Sequence, residues 1–280
     1  MKSLRNFPLP ALLAILLAGL PGLTGARRLA AQSPEPQENP YAPVHRDPLG
    51  TRLVDIPTPF TLGARRIEVI FNHRFQQEVS AGASNLWGLD GGADVGLGLA
   101  WGVTRHLDLS VFRSSFQKDF ELSGKYLFLE QAERVPLSLA VRAGTDLLRQ
   151  RGAADPHRPF AQLLLSRSFG HGVNFFAAPT WVRDTPELRN AVNVPVGATL
   201  GLPGGTYLEA EYMPRSRDLK TSVAAWHVAL AKPIGAHFFS LVVGNSRATT
   251  VDQYAGGDSA AGFKSGDVRL GFNLVRYFDY

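Results

Sequence analysis

The sequence predicts an all-β fold, an antiparallel up-and-down transmembrane β-barrel of about twelve strands. Three observations support this: twelve segments alternate between apolar and small or polar residues, their connections alternate between long and short, and an export signal precedes them. Residues 94–113, DVGLGLAWGVTRHLDLSVFR, show the alternation most clearly. Large apolar side chains occupy one parity there, and glycine, alanine or polar residues occupy the other. A period of two is typical of a β-strand whose faces meet unlike surroundings.

The first 31 residues have the three parts of a secretory signal peptide. Lys2 and Arg5 form a basic start, residues 11–23 are mostly apolar, and small residues precede candidate cleavage points after Ala26 and Ala31. A membrane anchor is the weaker interpretation, because prolines interrupt an apolar run shorter than the roughly 20 residues that spanning needs. Removal of this segment takes away four basic residues and no acidic one, so the formal net charge falls from +5 to +1.

Residues 32–62 are predicted to form a proline-rich periplasmic linker ahead of a barrel domain at 63–280. Seven prolines fall between positions 34 and 59. Proline resists both helix and sheet, so a semi-extended segment is expected. The sequence leaves open whether this segment stays outside the barrel or enters its lumen as a plug.

The predicted strands follow in order, each with large apolar residues on one face. Their lengths, about 8–12 residues, are close to the 9–11 that a tilted strand needs to cross a bilayer. The segments are 65–75, 94–103, 107–113, 120–130, 137–145, 160–169, 173–182, 191–202, 206–213, 223–232, 237–245 and the C-terminal stretch from Val268 to Tyr280.

The connections place long loops on one rim and short turns on the other, as in outer-membrane barrels. An even strand number returns both termini to the short-turn rim. The short turns are 104–106, 131–136, 170–172, 203–205 and 233–236, and the longer connections are 76–93, 114–119, 146–159, 183–190, 214–222 and 246–266. Aromatic residues near strand ends, such as Trp101 and Trp181, fit interfacial girdles.

Alternation alone does not say which face is inside. A soluble sandwich or lipocalin-type barrel would turn its apolar face inward. Glycine is poor on a solvated strand surface but relieves crowding in a narrow lumen, so the glycine face of 94–103 favours a membrane barrel. The apolar face is therefore predicted to meet lipid and the other face to line the lumen.

Three short runs resemble an uncharacterised family of bacterial membrane-bound (outer-membrane) β-barrel domains. They are NHRF (72–75), LWGLDGGAD (86–94) and GKY (124–126), and the likeness extends from about residue 50 to the end. The resemblance implies a barrel in the bacterial envelope and implies no reaction.

Parity assigns charges of both signs to the lumen. The residues predicted to line a pore are Arg66, Glu68, Arg74, Asp108, Lys125, Arg142, Glu209, Glu211 and Arg269. Since unpaired charges in a narrow space are costly, they form either cross-lumen pairs that fill the barrel or a selectivity ring in which Glu209 and Glu211 oppose a basic patch. Twelve strands lie between filled eight-stranded barrels and open 16–18-stranded porins, so size does not decide.

No catalytic residue, cofactor or metal site is predicted. The chain has no cysteine, and the spacing of His73, Asp90 and Asp94 near the long-loop rim fits no recognised ligand pattern. Some twelve-stranded outer-membrane barrels are lipases, but Ser240 does not pair convincingly with His171 or His227 and an orienting Asn or acid. Basic residues are spread along the chain, so nucleic acid is not an expected partner.

The predicted protein is a monomeric, non-enzymatic barrel of the cell outer membrane, exported by a cleaved signal peptide. Its expected partners are membrane lipid, the outer-membrane insertion machinery, which recognises an aromatic C-terminal strand, and a small solute. The favoured role is a narrow pore or facilitator for small solutes. The alternatives are a plugged structural or interaction barrel without transport and, more remotely, an outer-membrane lipase.

Overall fold

The strands expected from alternation are present in the computed structural model, which describes residues 50–132, 134–148, 157–183, 190–216, 223–255 and 267–280. Within these residues, twelve antiparallel strands form one closed barrel, as predicted. The strands are β1 (Arg66–Phe75), β2 (Ala93–Gly102), β3 (Leu107–Ser114), β4 (Asp119–Leu129), β5 (Ser138–Leu148), β6 (His157–Ser168), β7 (Asn174–Ala177 and Thr180–Val182), β8 (Ala191–Asn193 and Val196–Leu202), β9 (Thr206–Met213), β10 (Ala225–Ile234), β11 (His237–Gly244) and β12 (Arg269–Asp279).

The barrel closes where β1 pairs with β12. Arg66 lies opposite Asp279 at one end of this pair, and Arg74 lies opposite Gly271 at the other. Every other strand pairs with the strands before and after it in the chain. Closure matters because lipid offers no hydrogen bonds to an open strand edge.

Two strands are interrupted by proline, which has no N–H to donate to a sheet. The interruptions lie at Pro179 in β7 and Pro195 in β8, where the sequence predicted unbroken strands. The proline carbonyls still accept hydrogen bonds, from Leu163 at 2.9 Å and from Ala178 at 2.8 Å. The ladder therefore continues across both interruptions.

The outer face of the barrel is apolar and the inner face is rich in polar and charged residues. Along β2, Leu97, Leu99 and Trp101 are 54%, 48% and 45% exposed, whereas the residues between them are buried. Inward-facing Glu68 and Lys125 are both buried. A barrel wall with an apolar outer face and a charged inner face suits a lipid environment, as the sequence predicted.

The glycines of β2 make room for neighbouring groups in the interior. A Cβ atom added to Gly96 or Gly98 would lie 2.4 or 2.7 Å from the ring of Phe112. One added to Gly102 would lie 1.8 Å from the carbonyl oxygen of Gly63. These distances agree with the interpretation that glycine relieves crowding in a narrow lumen.

The connections contain short helical turns. Three are 3₁₀ turns, at Val79–Ala81, Ala83–Gly88 and Phe116–Lys118, and the fourth is a single α-helical turn, α1 (Val251–Tyr254). No helix in the described part of the chain is long and apolar enough to cross a membrane.

Candidate functional site in the barrel lumen

Residues 50–62 lie inside the barrel, and we call them the N-terminal plug. Val54, Ile56 and Thr58 are all 0% exposed. Val54 packs against Ala229 and Val242, which face inward from β10 and β11. The structure thus answers, for this part of the predicted linker, the question that the sequence left open. The predicted signal peptide and residues 32–49 lie outside the described residues.

Carboxylates on the wall accept hydrogen bonds from the plug backbone. Glu211 on β9 accepts from the N–H groups of Asp55 and Ile56 at 3.0–3.1 Å. Asp108 on β3 accepts from the N–H of Leu62 at 3.1 Å. Backbone groups that leave water need such partners, so these carboxylates anchor a segment that forms no strand of the barrel.

Donors on the wall bind the plug carbonyls. Asn273 on β12 donates to the carbonyl of Val54 at 2.9 Å. Lys125 on β4 donates to the carbonyl of Thr58 at 3.3 Å and also to that of Phe60. The Lys125 ammonium lies 3.7 Å from the carboxylate of Asp108, so the two plug-binding charges also balance each other.

Asp55 is the centre of a buried charge cluster between the plug and the wall. Its carboxylate oxygens both accept from Nη2 of Arg74 at 3.1 Å. His227 Nδ1 lies 3.3 Å from Asp55 and 3.0 Å from Glu211, and its Nε2 lies 3.1 Å from the carbonyl oxygen of Ser246. Both ring nitrogens of His227 face acceptors, an arrangement that the doubly protonated ring satisfies.

A second segment enters the lumen from the long-loop rim. Residues 245–255, which we call the inward loop, contain α1 and are almost all buried. The N–H of Val251 donates to Glu121 at 3.0 Å, and the side chain of Gln162 donates to the Tyr254 hydroxyl at 3.1 Å. Ile56 of the plug belongs to the same apolar cluster as Val251 and Tyr254. The sequence predicted a long connection at 246–266, and the described part of it folds into the lumen.

Three aspartates meet where the inward loop contacts the barrel wall, and we call them the aspartate triad. Asp119 begins β4, Asp146 lies on β5 and Asp252 lies on α1, and all three are buried. One carboxylate oxygen from each lies within 4.8 Å of the others. Burial raises the pKa of the Asp252 carboxyl, and its ion pair with Arg158, 2.9 Å apart, opposes that rise. Asp55, Glu211 and His227 show the same mutual spacing.

Most of the residues predicted to line a pore face the interior and are buried. The eight of this kind are Glu68, Arg74, Asp108, Lys125, Arg142, Glu209, Glu211 and Arg269. Arg66 lies instead at the short-turn end, where it pairs with exposed Asp279 at 2.6 Å. The plug and the inward loop lie against several of these side chains, so their role in lining a pore stays a prediction.

The residues predicted to line a pore take part in separate contacts and do not form one ring. Arg142 pairs with Glu121, and Arg269 pairs with Glu78 at 3.2 Å near the long-loop rim. Glu68 accepts from the Thr51 hydroxyl of the plug at 2.6 Å. Glu209 has no hydrogen-bond partner for either carboxylate oxygen among the described residues.

The structure does not bring His73, Asp90 and Asp94 together. The ring of His73 stacks on Phe272 with centroids 4.8 Å apart, Asp90 is exposed, and Asp94 pairs with Arg247 at 2.6 Å.

The residues considered for a lipase, Ser240, His171 and His227, each have different contacts. Ser240 is buried on β11 opposite Ala231, and His171 lies in a short turn with a φ of 52°. The partners of His227 are the two carboxylates and the backbone carbonyl described above. These contacts give His227 a structural role at the plug.

Comparisons with known proteins agree with the barrel. A family model described as "Membrane bound beta barrel domain (DUF5777)" matches residues 49–278, a range that includes the N-terminal plug. No curated protein matches the sequence significantly.

Among solved structures, the NanC porin is similar to this chain with a TM-score of 0.50 and 7% identity, over 76% of this chain and 99% of that one. Outer membrane phospholipase A from Escherichia coli is similar with a TM-score of 0.44 and 12% identity, over 86% of this chain and 94% of that one. A porin from Rhodopseudomonas blastica is similar with a TM-score of 0.34 and 10% identity, over 66% of this chain and 55% of that one. At 7% identity, the likeness to the NanC porin concerns the fold alone.

Proposed function

The chain belongs to the DUF5777 family of membrane-bound β-barrel domains, and on that premise we propose that it is an outer-membrane channel for small solutes, closed at rest by its N-terminal plug. The observation that carries this proposal is the way the plug is held. Residues 50–62 contribute no strand to the barrel sheet, yet side chains from six strands bind their backbone or side chains. The plug can therefore leave without breaking any strand pairing.

Withdrawal of the plug would expose a charged passage. Glu68, Asp108, Lys125 and Glu211 now bind the plug and would face water after it leaves. A lumen that carries both signs of charge suits a small polar or ionic solute. Glu209, which has no hydrogen-bond partner in the described structure, adds a further acid to this surface.

The remaining parts of the proposal concern the envelope. A signal peptide at 1–31 would export the chain, and the insertion machinery would place the short-turn rim at the periplasm. Residues 32–49 would then lie in the periplasm, next to the point where the plug enters. The role is non-enzymatic, since His227, the best-placed base, is already committed to Asp55, Glu211 and Ser246.

Single-channel conductance in a planar bilayer tests the proposal. The refolded mature chain is compared with a form that lacks residues 32–60. The intact chain should be closed or open rarely, and the truncated chain should show stepwise conductance. In the truncated form, Glu209→Lys with Glu211→Lys should shift the ion preference towards anions. Silence from both forms, with a folded barrel confirmed by circular dichroism, would overturn the channel.

A plugged structural or interaction barrel is the second candidate, and the inward loop favours it. That loop would still fill the long-loop half of the lumen after the N-terminal plug had left. In this case both forms stay silent, and the same charge swaps change stability while permeability stays at background.

A further inference from the structure

The aspartate triad carries more negative charge than its surroundings balance. Asp252 pairs with Arg158, and nearby Glu121 pairs with Arg142. Asp119 and Asp146 have no basic partner within ion-pair distance among the described residues. Arg158 lies opposite Asp146 in the strand register, but its guanidinium is bound to Asp252.

Several oxygens of the triad also lack hydrogen-bond donors. Asp119 is 0% exposed, and in the part of the chain that the structure describes neither of its carboxylate oxygens has a hydrogen-bond donor at bonding geometry. Oδ1 of Asp146 likewise has no partner among the described residues, while its Oδ2 accepts from the N–H of Asp252 at 3.0 Å. The nearby hydroxyl of Thr250 donates to Oδ1 of Asp252 at 3.1 Å. A buried carboxylate without donor or counter-charge is costly, so three such oxygens at one point indicate a missing partner.

We propose that Asp119, Asp146 and Asp252 bind a divalent cation, Ca²⁺, that fastens the inward loop to the barrel wall. One double charge would balance the two aspartates that have no arginine. Carboxylate oxygens are the ligands that Ca²⁺ prefers.

The origin of the three carboxylates favours Ca²⁺ over Mg²⁺. Ca²⁺ binds oxygen at about 2.3–2.6 Å, so ligands on opposite sides of the ion stand up to roughly 5 Å apart. Mg²⁺, at about 2.0–2.1 Å, holds opposite ligands roughly 4 Å apart in a strict octahedron. The three oxygens lie within 4.8 Å of one another, close enough for either ion, but they come from three separate elements, β4, β5 and α1, which suits the ion with the more tolerant geometry.

The second buried cluster with this spacing is a weaker candidate. The carboxylates of Asp55 and Glu211 are already satisfied by Arg74, by His227 and by backbone N–H groups of the plug. A cation there would compete with two positive groups. The triad therefore carries the proposal alone.

The test uses the full mature chain, folded in a non-ionic detergent and stripped of metal with a chelator. Addition of CaCl₂ should give saturable binding in calorimetry and raise the midpoint of thermal unfolding. Asp119→Asn removes one ligand charge and keeps the shape of the side chain. It should fold at least as well as wild type in chelator, and its Ca²⁺ affinity should fall by about tenfold or more, the range that metal-site substitutions reach.

Asp94→Asn is the matched control. Asp94 is also an inward aspartate near the long-loop rim, but it pairs with Arg247 and lies outside the triad. This variant should keep the wild-type Ca²⁺ affinity. If Asp119→Asn folds poorly, protease protection of the wild-type inward loop by Ca²⁺, compared with chelator, gives the same answer.

Three outcomes would overturn the proposal. Wild type could show no saturable binding; if Asp119→Asn is then more stable than wild type in chelator, the triad shares protons instead. Equal affinity in wild type and Asp119→Asn would place the ion elsewhere. Tighter binding of MgCl₂ than of CaCl₂ would overturn the assignment to Ca²⁺.

Discussion

Arg74 donates from one nitrogen, Nη2, to both carboxylate oxygens of Asp55 at 3.1 Å, and both side chains are buried. Arg74 belongs to β1, whereas Asp55 belongs to the N-terminal plug. This ion pair therefore attaches the plug directly to the wall of the barrel.

Asp55→Ala should release the plug while the barrel stays folded. Removal of one partner from a buried ion pair costs about 3–5 kcal/mol, because the other charge is left uncompensated. The loss should fall on plug docking, since Asp55 makes no strand pairing. Limited proteolysis of the folded protein should then cut within 50–62, and channel openings should become frequent.

Asp279→Ala is the control for that variant. Asp279 pairs with Arg66, but its side chain is 71% exposed, and surface pairs contribute about 0–1 kcal/mol. Equal protease sensitivity in the two variants would contradict the assigned role of Asp55.

Glu211→Gln and Glu209→Gln should differ although the residues are two positions apart on β9. Glu211 binds two backbone N–H groups of the plug and His227, and hydrogen bonds to a charged group contribute about 1.5–3 kcal/mol. We expect Glu211→Gln to weaken plug docking by an amount in that range. Glu209→Gln replaces a buried acid that has no hydrogen-bond partner among the described residues, and it should leave docking unchanged or strengthen it. The rate of plug cleavage by protease measures both, and an equal rate would refute the difference.

Gly96→Ala should destabilise the barrel by about 1–3 kcal/mol, the usual cost of overpacking. The new Cβ atom would lie 2.4 Å from the Phe112 ring, which cannot bend away as a flexible chain would. Urea unfolding in phospholipid vesicles measures the effect. Gly124→Ala is the control, because its Cβ atom would meet its nearest neighbour at an ordinary 3.4 Å. Phe112→Leu should rescue Gly96→Ala; failure of the rescue would mean that another contact is responsible.

Leu97→Arg should destabilise the membrane-inserted barrel by about 2–4 kcal/mol, the cost of arginine on the lipid face at the bilayer centre. Leu97 lies mid-strand on β2 and is 54% exposed. Ile234→Arg, at the short-turn end of β10 and 62% exposed, should cost about 0–1 kcal/mol. Equal effects in vesicle unfolding experiments would contradict the placement of Leu97 at mid-depth.

The wall of the barrel was predictable from sequence because its pattern is local. Side chains alternate within a strand, so Leu97 and Gly98 reveal their faces without knowledge of any neighbour. The interruptions at Pro179 and Pro195 were missed because alternation continues through them in the residue pattern. Only their missing N–H groups signal the break.

The contents of the lumen were not predictable in the same way. Asp55 binds Glu211 from 156 positions away, and neither the plug nor the inward loop has a repeating pattern. Asp252 looks like any polar loop residue until Asp146 and Asp119 are seen beside it. Such partners are fixed by long-range contacts, which a single sequence does not display.

The plug also bears on how the barrel is assembled. It precedes every strand in the chain, yet its bonding partners lie on strands from β1 to β12. A strand that slipped by one position would turn its inward side chain towards lipid and leave a polar group of the plug unbonded. Docking of residues 50–62 therefore requires the correct register in strands that do not pair with one another.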